Sequence, residues 1–354
     1  MNASSGFANF WSHAALETCM FHLHNMSAMT GSMASRETSP EVPQLPAAEL
    51  RTSQFIDQSY TNHAGTRSYK LYVPSSYDGS PLPLIVMLHG CSQDARDFAA
   101  GTCMNDVAEK NHCFVVYPEQ SASASSNKCW GWFNRSDCTA DQGEASLIAG
   151  IVQDIIAGYR VDGRRVFIAG MSAGGAMAAA MVHAYPGMFA AIGVHSGVPH
   201  GAASDLRSAL AAMRDSSDMM PTTMTRSRMP VIVFHGERDH TVHRRNADRI
   251  IAQMDLSEAT AAVRHRTRPA DRTSGAGAYT RSVHIDRREQ VLAEKWTLHD
   301  ASHTWSGGSK AGSYTDPKGP NASEEMVRFF LQVTSSHPIR SGLRRPRRPH
   351  RLLG

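Results

Sequence analysis

No stretch of the 354 residues approaches the roughly 18 consecutive apolar residues that a bilayer-spanning helix needs, so no membrane partner is expected. There is no C-x-x-C and no H-E-x-x-H, so none of the six cysteines and 18 histidines falls into a zinc-ligand spacing. A phosphate-cradling loop and a dinucleotide fingerprint are both missing, so neither a metal nor a cofactor is expected. No repeat of solenoid period is present. Residues 1–50 have no basic leader and no uninterrupted apolar core: the best candidate, 7–23, is broken by His13, Glu17 and His22, so no signal peptide is read there. The net charge is only +4, and much of the surplus sits near the C-terminus in Arg340, Arg344, Arg345, Arg347, Arg348 and Arg351. No aromatic residues interleave those arginines, so the tail reads as a solvated extension and no nucleic-acid partner is expected.

What is there begins with Gly170-Met171-Ser172-Ala173-Gly174. Before it runs Arg165-Val166-Phe167-Ile168-Ala169, apolar and partly β-branched, which predicts a buried strand. After it runs Gly175-Ala176-Met177-Ala178-Ala179-Ala180-Met181, a strong helix former. Strand, G-x-S-x-G, helix is the context of a nucleophile elbow, in which a sharp turn lifts the serine hydroxyl above the sheet. Ser172 is therefore the candidate nucleophile. The alternative is a Gly/Ser turn without chemistry.

A serine needs a base, and the base an orienting acid. On this kind of scaffold they follow in the order Ser, Asp/Glu, His. Val231-Ile232-Val233-Phe234 predicts a buried strand broken by Gly236, and Asp239 falls in the loop just past it. Asp239 is favoured as the acid over Glu237, which lies nearer the strand, and over a plain capping role for the helix starting near Arg244. His303, in the small-residue loop after the strand 291–298, is the favoured base; His299, at the strand end, is the alternative. Two backbone N–H donors must then meet the developing oxyanion. One belongs to Ala173, after the nucleophile. The other is expected from the loop His89-Gly90-Cys91-Ser92-Gln93 after the apolar strand 83–88, at Cys91.

These residues carry a resemblance. Leu88 to Gln93, Cys129-Trp130-Gly131-Trp132-Phe133, Gly143-Glu144, Gly170 to Gly175, Val194-His195-Ser196-Gly197-Val198-Pro199, Phe234 to Val242 and His303-Thr304-Trp305-Ser306-Gly307-Gly308 stand in order from about residue 65 to about 333. Together they resemble the esterase family named for polyhydroxybutyrate depolymerases, whose relatives include feruloyl and acetylxylan esterases. The resemblance implies an α/β-hydrolase fold and hydrolysis of a small or oligomeric carboxylic ester. Carried over by position, it implies Ser172 as nucleophile, Asp239 as acid and His303 as base. It also implies an extracellular location, which the missing signal sequence does not support; a cytoplasmic one is the alternative. Depolymerases that attack solid polymer usually carry a separate binding domain, for which this sequence leaves no room, so soluble esters are the expected substrates.

The organisation follows. Residues 1–60 are expected to be disordered apart from a short helical stretch near 11–20, 61–334 to form the hydrolase domain, and 335–354 to be a basic disordered tail. Strands are predicted over 68–73, 82–88, 113–117 and 190–195, and helices over 96–110 and 144–159. The latter rests on Leu147, Ile148, Ile151, Val152, Ile155 and Ile156 at three- and four-residue spacing. Such alternation predicts an α/β protein with a mostly parallel central sheet and helices on both faces, and ligands outside the carboxyl ends of its strands. Polar stretches 201–228 and 265–288 read as insertions at the rim. Cys91–Cys129 is one possible disulfide and Cys129–Cys138 the local alternative. Cys103 and Cys113 read as packed thiols, and Cys19 lies in the front segment. Trp130 and Trp305, in motif loops, are candidate substrate contacts; Trp132 beside Phe133 reads as packing, and His195-Ser196-Gly197 as structural.

Overall fold

Apolar runs bounded by Pro and Gly become the strands at the centre of the sheet. The structure, a computed structural model, describes residues 52–214, 229–254, 256, 259–271 and 276–336. The strands are β1 (Gln54–Asn62), β2 (Gly65–Val73), β3 (Leu82–Leu88), β4 (Phe114–Pro118), β5 (Val161–Met171), β6 (Ala191–His195), β7 (Val231–Gly236), β8 (Ala262–Arg268), β9 (Tyr279–Ile285) and β10 (Val291–Leu298). They form one sheet in the order β1-β2-β4-β3-β5-β6-β7-β10-β9-β8. From β4 through β10 the neighbours run parallel; β1, β2, β8 and β9 add antiparallel borders.

The helices are α1 (Ala95–Thr102), α2 (Met104–Lys110), α3 (Gly143–Gly158), α4 (Ala173–Ala184), α5 (Leu206–Arg214), α6 (Arg245–Gln253) and α7 (Ala322–Ser336). Alternate residues of each central strand serve opposite cores. Leu84, Val86 and Leu88 pack with Ile148, Ile151, Met177 and Ile250, on the side of α3, α4 and α6. Ile85 and Met87 pack with Phe98, Val107, Met326 and Phe330, on the side of α1, α2 and α7. Burial on both faces is why these strands read as unbroken apolar runs. The parallel strands bring their carboxyl ends to one border, where the chain leaves β3 for His89, β5 for Ser172, β7 for Asp239 and β10 for His303.

Several expectations need correction. β1 starts at Gln54, inside the segment assigned to disorder, and pairs with β2 along its whole length; residues 1–51, with Cys19 and the 11–20 stretch, lie outside the described residues. The last helix runs to Ser336, past the assigned boundary, and the arginines of the tail lie outside the described residues. The helix predicted over 96–110 is two, broken at Cys103, whose φ of 52° is left-handed. The Cys103 thiol is half-exposed there, whereas Cys113 is buried. Ile156 is exposed, while Leu147, Ile148, Ile151, Val152 and Ile155 of the same predicted stripe are buried. The polar stretch 265–288 is no insertion: β8 and β9 extend the sheet beyond β10. Every residue of β8 is exposed, so it has no apolar face to betray it, and its arginines discourage pairing with another edge. Within 201–228, α5 occupies part, and 215–228 lie outside the described residues.

Candidate active site

Ser172 sits between β5 and α4 with φ 54° and ψ −121°, a conformation strained for a residue with a Cβ. The turn is possible because the chain behind it is bare. A Cβ on Gly174 would collide with the carbonyls of Leu88 and His89, so only glycine lets α4 start this close to β3. Gly174→Ala is accordingly expected to destabilise the protein by about 3 kcal/mol or more, or to abolish folding. Denaturant titration of the soluble fraction checks this; a loss under about 1 kcal/mol contradicts it.

Ala173 is the first residue of α4, and its N–H is one of the donors a helix start leaves unpaired. Facing it is the loop after β3. The His89 ring is buried: its Nδ1 lies 2.7 Å from the Gly90 carbonyl, and its Nε2 accepts from the Gln120 N–H at 3.0 Å. Accepting at Nε2 places the ring proton on Nδ1, which therefore donates to Gly90. Because a peptide unit is planar and trans, the N–H of Cys91 points opposite to that carbonyl, away from the His89 ring. Among the described residues neither the Ala173 nor the Cys91 N–H has an acceptor. A Cβ on Gly90 would lie 3.6 Å from Ser172 Cβ, so this loop borders the serine. The Cys91–Cys129 disulfide joins it to the 121–133 loop.

Beneath that second loop lies a buried polar group. Glu144 accepts from the Gly131 N–H at 2.8 Å and from the Gln120 side-chain amide, with the Arg67 guanidinium 3.6 Å away. Burial outweighs these partners and pushes its carboxyl up to about 7.

Asp239 is buried, and its acceptors are all engaged. Oδ1 takes the N–H groups of Thr241 (3.0 Å) and Val242 (2.8 Å); Oδ2 lies 2.7 Å from His303 Nδ1. Burial works to raise this carboxyl, but the hydrogen bond and charge of His303, the His235 ring and the Val242 N–H together hold it below the usual range. The loops that carry the pair are laced together. Arg238 N–H donates to the Ala301 carbonyl and Glu237 N–H to that of Leu298. Gly236 permits this, since a Cβ there would collide with the carbonyls of Ala301 and Ser302. No hydrogen bond joins Ser172 Oγ to the His303 ring among the described residues; such contacts are often loose before substrate binds.

The two rivals found each other. Glu237 lies 3.0 Å from His299 Nδ1, and the far side of that ring faces the Thr280 hydroxyl at 2.9 Å. Asp239 thus pairs with His303 and Glu237 with His299. Trp130 and Trp305 need correction as substrate contacts, because both are buried with almost no exposed surface. Trp130 Nε1–H donates to the His89 carbonyl (3.1 Å) and Trp305 Nε1–H to Ser323 (3.2 Å), so each indole serves a loop from within. Trp132 packs edge-on against Phe133. Sequence reasoning missed His235, whose Nε2 donates to the Val242 carbonyl (2.8 Å) and stands 3.5 Å from Asp239 Oδ2. Its position at the end of a buried strand was the available signal.

The buried imidazoles set an acid limit on stability. Burial first of all lowers His89 and His183 to about 4 and His195 to about 3. A folded-state value below the unfolded one means stability present in full above about pH 6.5 and lost as pH falls toward the folded value. For His89 that loss reaches roughly 3 kcal/mol by pH 4. The urea midpoint should therefore fall between pH 6.5 and 4; a flat midpoint contradicts the neutral, buried assignment.

The sequence model described as Esterase PHB depolymerase matches residues 67–272. The chain is 28% identical over 285 residues to Poly(3-hydroxyalkanoate) depolymerase C of Paucimonas lemoignei, covering 77% of this chain and 65% of that one. It is 35% identical over 142 residues to Probable acetylxylan esterase A of Aspergillus fumigatus, covering 40% of this chain and 37% of that one. It thus spans less than two thirds of the length of either relative. Among solved structures, Acetyl xylan esterase from Aspergillus awamori aligns with a TM-score of 0.59 at 19% identity, over 79% of this chain and 98% of that one. The shared architecture is the α/β-hydrolase fold. With more than half of its length matched, over a span that carries both Ser172 and Asp239 and ends before His303, the chain belongs to the Esterase PHB depolymerase family.

Proposed function

We propose that the protein hydrolyses carboxylic esters through Ser172, His303 and Asp239. The observation that carries this reading is the 2.7 Å bond between Asp239 and His303, on the same border of the sheet as the strained Ser172 turn. Asp239 fixes the ring so that Nδ1 holds its proton and Nε2 is left as the base. Ser172 Oγ attacks the ester carbonyl as Nε2 takes its proton, and the N–H groups of Ala173 and Cys91 meet the oxyanion. His303 returns the proton to the leaving alcohol, and water releases the acyl group from Ser172 by the same steps. The relatives' names support hydroxyalkanoate oligomers and acyl groups on sugars as the substrate class. Acyl-transfer machinery alone does not separate ester from amide. The test is a panel of a soluble hydroxybutyrate trimer, an acetylated xylo-oligosaccharide, p-nitrophenyl esters of rising chain length and a peptide amide. Turnover of the esters is expected. Turnover of the amide alone would overturn the reading.

A further inference from the structure

His195 ends β6 and touches both halves of the site. Its backbone carbonyl accepts the N–H of Ser172 at 2.9 Å. Its side-chain Nε2 accepts the N–H of Ser306, three residues beyond His303, at 3.1 Å. We infer that His195 is a positioning residue, a latch that sets the nucleophile turn and the loop of the base at their working separation. The inference rests on the triad reading above.

The loop's other hydrogen bonds lead elsewhere. Among the described residues they run to the Asp239 loop through Arg238 and through His303 itself, to its own continuation through the Trp305 N–H and the Tyr314 carbonyl and through the Gly307 N–H and the Asp316 carbonyl, to α7 through the Trp305 indole and Ser323, and to Pro320 through Ser306 Oγ. None of these ties the loop to the strand pair that holds Ser172; His195 does. The ring is stacked between Phe234, with centroids 5.7 Å apart and planes at 9°, and Trp305, at 5.0 Å and 26°. A phenyl ring would fill this slot without the cost of desolvating an imidazole. What only the imidazole offers is an acceptor for the buried Ser306 N–H, which would otherwise be left unpaired.

That acceptor exists only in one protonation state. Because Nε2 accepts, the proton sits on Nδ1, 3.2 Å from Ser196 Oγ, to which it donates. The titratable groups around the ring are His235, His303 and Asp239, and burial keeps the ring neutral far below neutral pH. The ring therefore keeps its acceptor for Ser306 at neutral pH.

Two substitutions separate latch from packing. His195→Phe keeps the stack and removes the acceptor; His195→Gln loses the stack and offers an amide oxygen to Ser306. The latch predicts that His195→Phe lowers kcat by about 100-fold with KM changed by less than about twofold, as a displacement of about 1 Å at a catalytic group does. It predicts that His195→Gln recovers at least about a tenth of the parent kcat. A packing role predicts the reverse order. A His195→Phe enzyme within about threefold of the parent, or a His195→Gln enzyme as impaired as His195→Phe, overturns the inference. The parent itself supplies a check that needs no variant to fold: the Ser306 amide must be strongly protected from hydrogen exchange, and fast exchange there overturns the latch. If Ser172→Ala kept its activity, the triad reading would fall; if Ser172→Ala were dead and His195→Phe unimpaired, only the latch would.

Discussion

Ser172→Ala is expected to lower kcat at least about 10⁴-fold while the protein still folds. The magnitude follows from what the hydroxyl does. Without it no acyl-enzyme forms, and the remaining catalysis comes from the backbone donors of Ala173 and Cys91 and from binding alone. Folding should survive because the turn is held by main-chain contacts. The Ser172 N–H meets the His195 carbonyl, its own carbonyl takes the Ala176 N–H, and the side chain makes no hydrogen bond to another residue among those described. Steady-state kinetics on a p-nitrophenyl ester, with circular dichroism as the control for folding, measure both. Activity within tenfold of the parent would remove Ser172 from the mechanism.

His303→Ala is expected to match that loss, and His299→Ala to keep at least about a tenth of the activity. The contrast is a direct consequence of the pairing. Only His303 is held by the buried Asp239, whose carboxylate can stabilise an imidazolium as it forms. His299 is bound to the more exposed Glu237 on one side and to Thr280 on the other, so neither of its nitrogens is left for the serine. Reversed outcomes would make His299 the base.

The centre of the fold was legible because burial on both faces leaves an unmistakable record. The bounds of β3 match those predicted from its apolar run, and β10 spans the predicted 291–298. The elbow was legible for the opposite reason, since strain and close packing restrict residue types to Gly, Ser and Ala there. The edge was not: β8 is a charged, exposed strand, and its composition is that of a loop. The break puts a left-handed φ on Cys103 itself, and the nearest glycine, Gly101, stands two residues too early to mark it. The tryptophans misled because a loop indole next to a motif suggests a surface. Each is instead drawn inward by an N–H that finds an acceptor beneath the loop. Chain order could rank Asp239 above Glu237 and His303 above His299, but could not say which acid meets which base. That depends on Gly236, where the absence of a Cβ lets the two loops cross.

The central claim is that Ser172 is the activated nucleophile, and covalent labelling tests it most directly. Incubating the parent enzyme with a p-nitrophenyl alkylphosphonate should release one equivalent of p-nitrophenol per protein and abolish esterase activity. Peptide mass spectrometry should then place the phosphonyl group on Ser172, with no label in the His303→Ala protein over the same time. Inactivation with the label on another residue, or full esterase activity with Ser172 phosphonylated, would contradict the account.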